Sequence, residues 1–286
     1  MTAFDLVAVV DWSASSAPPR HRPQADAIWL GLADAAGVTT CYHASRHAAE
    51  AAIADLITRA QAAGQSLLLG FDFPFGYPDG FAARLTGQDS AAAVWHWLAA
   101  AITDGPDNRN NRFAVADGIN RQFGGHGPFW GRPESQPFPH LPSRKTVDYP
   151  ALGLAERRQV ETLVPRAQPV WKLYTTGAAG GQSLMGLPMI HRLAQRPGVS
   201  VWPFGPAAPV VLAEVYPSLL AGAVRAALTP DAIKDQVQVR LLAQALWRLG
   251  QSGSLADLLA APPPQVRQAE GWILGAGFAS LLEAAG

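Results

Sequence analysis

Two apolar runs that each end on an aspartate constrain this chain more than any other feature. Residues 4–10 read FDLVAVV and lead into Asp11; residues 67–71 read LLLGF and lead into Asp72. Both are short and almost uninterrupted, as strands buried on both faces are. Between them, residues 27–32 (AIWLGL) and 38–42 (VTTCY) predict two more strands, joined by a turn at Asp34–Gly37. Ser45 predicts an N-cap for a helix to about Ala63, with Ile53, Leu56 and Ile57 on one face and Gly64 as its stop. The order strand, strand, strand, helix, strand lets the first three strands pair antiparallel. The strand after the helix returns parallel to the first through a crossover. Asp11 and Asp72 are therefore expected side by side, at the strand ends where open α/β sheets place ligand sites.

Further along, residues 209–215 (PVVLAEV) predict a strand that carries Glu214 and is halted by Pro217. Thr229-Pro230-Asp231 predicts a helix start, and Ile233, Val237, Leu241, Leu242, Ala245, Leu246 and Leu249 supply its apolar stripe. Prolines 262–264 separate it from a last predicted helix holding Glu270 and Trp272. The middle differs: residues 104–150 hold seven prolines and six glycines with little periodicity, a length that marks a functional loop or an inserted subdomain. Residues 155–163 and 182–195 read as helices beyond it. The expected layout is one α/β domain, a mixed sheet flanked by helices, formed by 1–103 and 200–286. Residues 104–199 form a large irregular and helical insertion covering the site.

Only 15% of residues are charged, below the roughly 25% usual for soluble proteins, so carboxylates inside apolar segments stand out. Lys and Arg number 22 and Asp and Glu also 22, which excludes a globally basic nucleic-acid coat. The insertion is locally basic: from Arg109 to Arg158 there are eight Arg and Lys against four Asp and Glu. Cys41 is the one cysteine, which rules out an intrachain disulfide or a thiolate cluster, and it reads as a core residue. The N-terminus lacks a secretory pattern and no run reaches membrane-span length, so a cytoplasmic protein is expected.

Asp11, Asp72, Glu214 and Glu270 are the candidate catalytic residues. Four converging carboxylates remain ionised only around a cation, and Mg²⁺ or Mn²⁺ is the usual one. Asp11, Asp72 and Glu214 are the expected metal ligands. Ser13, Ser15 and Ser16 offer hydroxyls after the first strand, and Gly177, Gly180 and Gly181 precede a helix that could cradle a phosphate. Ser13, Arg112, Trp130 and Lys172 are the residues expected at the substrate. Arg109, Arg121, Phe129, Arg132, Arg144 and Lys145 extend the same basic, aromatic character. His43 and His47 stand four apart, with no third metal ligand beside them.

The motifs VVDWSAS, GFDFPFGYP, GLAERR, AEVYPSLL and AEGWILG, in this order, resemble a family of predicted RNase H-like nucleases. The resemblance implies an RNase H-like core and metal-binding roles for Asp11, Asp72, Glu214 and Glu270. DWSAS, GFDFPFGYP, NRF, GPFWG, WPF and EGWILG together also resemble, nearly end to end, bacterial proteins labelled molybdopterin-guanine dinucleotide synthesis. Three functions follow as expectations. The first is a divalent-metal-dependent phosphoester hydrolase or nuclease acting on nucleic acid. The second is a nucleotide- or pterin-phosphate-binding protein of molybdenum cofactor synthesis. The third is a non-catalytic accessory protein that binds a nucleotide-bearing cofactor or a partner enzyme.

Overall fold

Strand β1 (Leu6–Asp11) shows how the sheet is built. Its alternate residues Leu6, Ala8 and Val10 enter one hydrophobic core, while Val7 and Val9 enter a second on the opposite face. That period of two, apolar on both sides, requires a central strand covered by helices above and below. The computed structural model describes residues 3–164 and 166–286. After β1 come β2 (Ile28–Asp34), β3 (Gly37–His43), α1 (Arg46–Ala62), β4 (Leu67–Phe71), α2 (Phe81–Thr86), α3 (Ala91–Ala101) and α4 (Arg112–Gln122). The second half holds α5 (Gln159–Leu163), α6 (Ala179–Ala194), β5 (Val199–Val201), β6 (Val210–Glu214), α7 (Ala221–Ala227), α8 (Lys234–Ser252), α9 (Leu255–Ala260) and α10 (Ala279–Ala285).

The strands form one six-stranded mixed sheet in the order β3-β2-β1-β4-β6-β5. β1 pairs antiparallel with β2 and parallel with β4, Val10 lying opposite Phe71, so the expected adjacency of the Asp11 and Asp72 strands holds. β6 pairs parallel with β4 on its other side, Phe71 opposite Glu214. Three carboxylate-bearing strand ends therefore stand at one edge of the sheet. The Ser45 hydroxyl caps α1 as expected, accepting from the Ala48 N–H at 3.3 Å.

One core joins β1 and β4 to α1, α3 and α6, and it also takes Phe113, Ile119 and Phe129 from the insertion. The second core is dominated by α8. That helix sits so close on β2 that a Cβ on Gly31 would lie 2.5 Å from the Val239 carbonyl oxygen.

Three expectations are corrected. Thr229-Pro230-Asp231 does not open a helix: the Thr229 carbonyl accepts from the Ala232 N–H at 3.0 Å, closing a proline turn, and α8 begins at Lys234. Glu270 lies on a turn rather than a helix, because Gly271 adopts a left-handed φ of 71° and ends any helical run there. Cys41 is exposed, on the outward-facing side of edge strand β3.

Candidate functional site

Asp11 ends β1, and Asp72 follows β4 by one residue, still carried by a backbone hydrogen bond from its N–H to the Val10 carbonyl at 3.2 Å. One Asp72 oxygen accepts from the Trp12 N–H at 2.7 Å. The other accepts from the Gln182 amide at 3.3 Å, and the same amide donates to the Trp12 carbonyl at 2.5 Å. Gln182, on the first turns of α6, thus ties the two strand ends together. The carboxyls of Asp11 and Asp72 stand close enough that the Asp72 charge pushes the Asp11 carboxyl towards its protonated form.

Burial drives the electrostatics. It raises the Asp11 carboxyl well above the carboxylate range, with the Asp72, Asp235 and Asp26 charges pushing the same way. Burial also lifts Asp72, to about 6, against hydrogen bonds from Asp11, the Trp12 N–H and Gln182 that favour its ionised form. Asp235 comes from the first turn of α8 and accepts the Asp26 N–H at 2.9 Å. Burial raises its carboxyl as well.

A cleft of ≈ 230 Å³ opens over this pair, lined by Asp11, Asp72, Pro74, Gln182 and Asp235 among others. A second cleft of ≈ 500 Å³ shares Asp11, Gln182 and Asp235 and extends to Ser13, Arg112 and Tyr174. Pro74 and the three phenylalanines around it, Phe71, Phe73 and Phe75, back the Asp72 loop with tilted rings 5.5–6.0 Å apart.

Glu214 lines the first cleft, but its carboxylate is committed elsewhere. Arg158 grips it with both terminal nitrogens, at 2.6 and 2.8 Å, and the Phe75 N–H donates to it at 3.0 Å. The same guanidinium bonds Glu161 at 2.8 Å and the Glu270 carbonyl at 3.0 Å, and its side chain is 1% exposed. The two glutamates hold Arg158 charged, above its usual range, in spite of its burial. Glu270 turns its carboxylate onto backbone, accepting from Gln159 N–H at the start of α5 at 2.8 Å and from Asp79 N–H at 3.3 Å. The four acids therefore separate into an Asp11–Asp72 pair and two glutamates that hold the loops beneath it. Among the described residues, no set of three or more His, Cys, Asp or Glu is arranged to hold a metal ion.

Ser13 lines the second cleft and donates to the Asp26 carbonyl at 3.1 Å. Arg112, the first residue of α4, lines it too. Trp130 and Lys172 instead face each other, the ammonium 5.7 Å from the indole ring and donating to the Thr176 carbonyl at 2.6 Å. Neither lines the two clefts. Gly181 serves close packing, since a Cβ there would lie 2.8 Å from the Leu173 carbonyl oxygen. Gly180 likewise abuts the Val170 carbonyl, while Gly177 lines both clefts. His43 and His47 line separate cavities.

No family model, curated protein or solved structure matches this chain.

Asp235, Gln182 and Arg158 were not singled out from the sequence. Asp235 falls inside the helix expected from Thr229-Pro230-Asp231 and gives no signal of its own, and Gln182 carries none. The ERRQVE segment could have revealed Arg158, since a charge-poor chain that places Arg and Glu three apart beside apolar residues invites a buried pair.

Proposed function

We propose that this chain is a divalent-metal-dependent phosphoester hydrolase acting on a small phosphate-bearing ligand. The reading is carried by one observation: two half-buried, mutually repelling aspartates at adjacent parallel strand ends, opening into a cleft. Such a pair resists double ionisation, and a cation is what relieves it. The donor set suits Mg²⁺ or Mn²⁺, which commonly take one or two carboxylates and fill the remaining positions with water and substrate phosphate. Asp11 and Asp72 would hold it, and when bound it would polarise a phosphoryl oxygen and lower the pKa of its water.

The protein's own residues do the positioning. Gln182 and the Trp12 N–H fix both oxygens of Asp72, so its carboxyl is oriented before any ligand arrives. Asp235, which lines the same cleft as Asp11 and Asp72, would accept a proton from an attacking water. Glu214 and Glu270 act at one remove, with Arg158 anchoring the loops that carry Phe75 and Asp79.

A small ligand is favoured over nucleic acid because several basic residues of the insertion already have carboxylate partners. Arg109 pairs with Asp107 at 2.5 Å, Arg144 with Glu134 at 3.4 Å and Lys145 with Glu156 at 2.7 Å. The RNase H-like reading rests on the strand order and the carboxylate positions together, and polynucleotide cleavage is its nuclease form. A second reading is a non-catalytic nucleotide- or pterin-phosphate-binding protein of molybdopterin guanine dinucleotide synthesis. It is favoured by the hydrogen bond that each Asp72 oxygen already accepts.

Calorimetric titration with Mn²⁺, followed by phosphate release from nucleoside monophosphates and from oligonucleotides, separates these. Mn²⁺ binding by the parent protein and not by Asp72→Asn, with turnover of the monophosphates, is expected. Equal binding by both proteins, or by neither, overturns the metal assignment; binding without turnover leaves the accessory reading.

A further inference from the structure

Arg112 is only 6% exposed, yet among the described residues no carboxylate lies within ion-pair distance of it. One terminal nitrogen donates to two neutral oxygens, Ser16 Oγ at 2.8 Å and Asn110 Oδ1 at 2.9 Å. Its Nε has no hydrogen-bond partner among the described residues. The guanidinium lies 4.2 Å from the centre of the Phe113 ring, which fixes its plane. The neighbouring cation, Arg46, is already neutralised by Asp104 at 2.5 Å. A buried positive charge with no counterion is costly, and the second terminal nitrogen of Arg112, Nη2, which makes no hydrogen bond among the described residues, suits an oxyanion.

A second feature converges on the same cleft. Helix α6 runs for 16 residues, has no acid in its first turn and no side-chain cap at Ala178. Gly177 and Ala178, at its N-terminus, line the cleft together with Arg112. The Gly181 N–H of this first turn already donates to the Lys172 carbonyl at 3.2 Å, while the N–H groups of Ala179 and Gly180 make no hydrogen bond among the described residues and, with the helix dipole, favour negative charge. The same cleft is lined by Asp11, Asp26 and Asp235, so it holds acids as well as Arg112 and the helix end.

We propose that Arg112 and the N-terminus of α6 form an anion subsite that takes the phosphate group of a small ligand, holding it in the cleft that Asp11 also lines. The subsite stands on its own geometry; only the ligand's being a phosphoester substrate rests on the reading above. The hydroxyl of Ser13 and the exposed ring of Tyr174, 42% accessible, lie on the rim where the rest of the ligand would emerge.

Inorganic phosphate is the first probe, titrated calorimetrically into the full chain with and without Mn²⁺. Two substitutions test the subsite. Arg112→Gln removes the charge. Ala178→Asp sets a carboxylate at the N-cap, which caps the helix and should hold or raise the melting temperature while repelling the anion. Both are expected to weaken phosphate binding at least tenfold. No phosphate binding by the parent under either condition overturns the subsite, as does binding by a well-folded Ala178→Asp protein at parental affinity. Phosphate binding lost in both variants while Mn²⁺ fails to bind any of the proteins sustains the subsite and sinks the metal reading instead. Displacement of phosphate by a nucleoside monophosphate supports a small ligand; displacement only by an oligonucleotide lacking terminal phosphates overturns it.

Discussion

Arg158 and Glu214 meet through two parallel hydrogen bonds of 2.6 and 2.8 Å, buried at the end of the third strand over which the cleft opens. The pair joins α5 to β6, and through the Glu270 carbonyl it also reaches the loop after the last proline run.

Glu214→Gln keeps the shape and leaves Arg158 with one buried carboxylate in place of two. The expected cost is about 3 kcal/mol, the scale for breaking a buried ion pair. Mn²⁺ affinity, read by calorimetry, should stay within about twofold of the parent once the protein is folded. A loss as large as that of Asp72→Asn would return Glu214 to the metal ligands.

Asp72→Asn should stabilise the protein at neutral pH. The folded carboxyl titrates near 6 against an ordinary value of 3.8, so between these values the native state holds a proton that the unfolded chain has released. The parent's stability from this group is complete below about 3.8 and is lost as pH rises through about 6. The asparagine variant, unable to titrate, should gain on the parent over that window by on the order of 1–3 kcal/mol. Urea midpoints at pH 4 and pH 7 check this; equal differences at the two values would refute it.

Mn²⁺ affinity should follow the same proton. The metal needs the carboxylates ionised, so binding should weaken as pH falls through about 6, by up to tenfold for each proton displaced per pH unit. Proton release measured in two buffers of different ionisation enthalpy gives the count directly. An affinity flat from pH 5 to 8 would show that the Asp11–Asp72 proton is not displaced.

Gly76→Ala should destabilise the loop beneath Asp72. A Cβ there would collide with the Ala269 carbonyl oxygen and lie 2.5 Å from that of Glu270, and both are backbone atoms with little room to give. A loss of roughly 1–3 kcal/mol or more is expected, typical of overpacking. Denaturant unfolding measures it, and a neutral result would mean that the two loops can separate freely.

The sheet was legible because its information is local and periodic. The short apolar runs before Asp11 and before Asp72 are enough to place two buried strands, and the intervening helix gives the parallel return. Asp11 and Asp72 could be read as neighbours for that reason. Glu214 and Glu270 read as members of the same acid cluster, because their actual partners, Arg158 and the N–H groups of Gln159 and Asp79, come from aperiodic segments far away in sequence. The residues around Thr229 held two signals at once, and proline in a turn prevailed over proline in a first helical position. Cys41 was misplaced because VTTCY is an edge strand, where half of the residues look outward regardless of their apolar character.

The order of the strands also sets an order of assembly. β1, β2, β3, α1 and β4 are contiguous in the chain: β1–β2 and β2–β3 close short loops, and β1–β4 joins Leu6 to Leu67 through the intervening hairpin and helix. The contact of Leu67 with Val210, by contrast, must span the whole insertion, an entropic expense that grows with the length of chain enclosed. The first 72 residues can therefore bring Asp11 and Asp72 together early, as an open hairpin-and-crossover unit with two like charges at its tip. Docking of β6 comes later, and with it the Arg158 clasp that shuts the rear of the cleft. A refolding chain should thus pass through a stage in which the acidic pair exists but is still wet, its carboxyls titrating like ordinary aspartates until the second half of the protein closes over them.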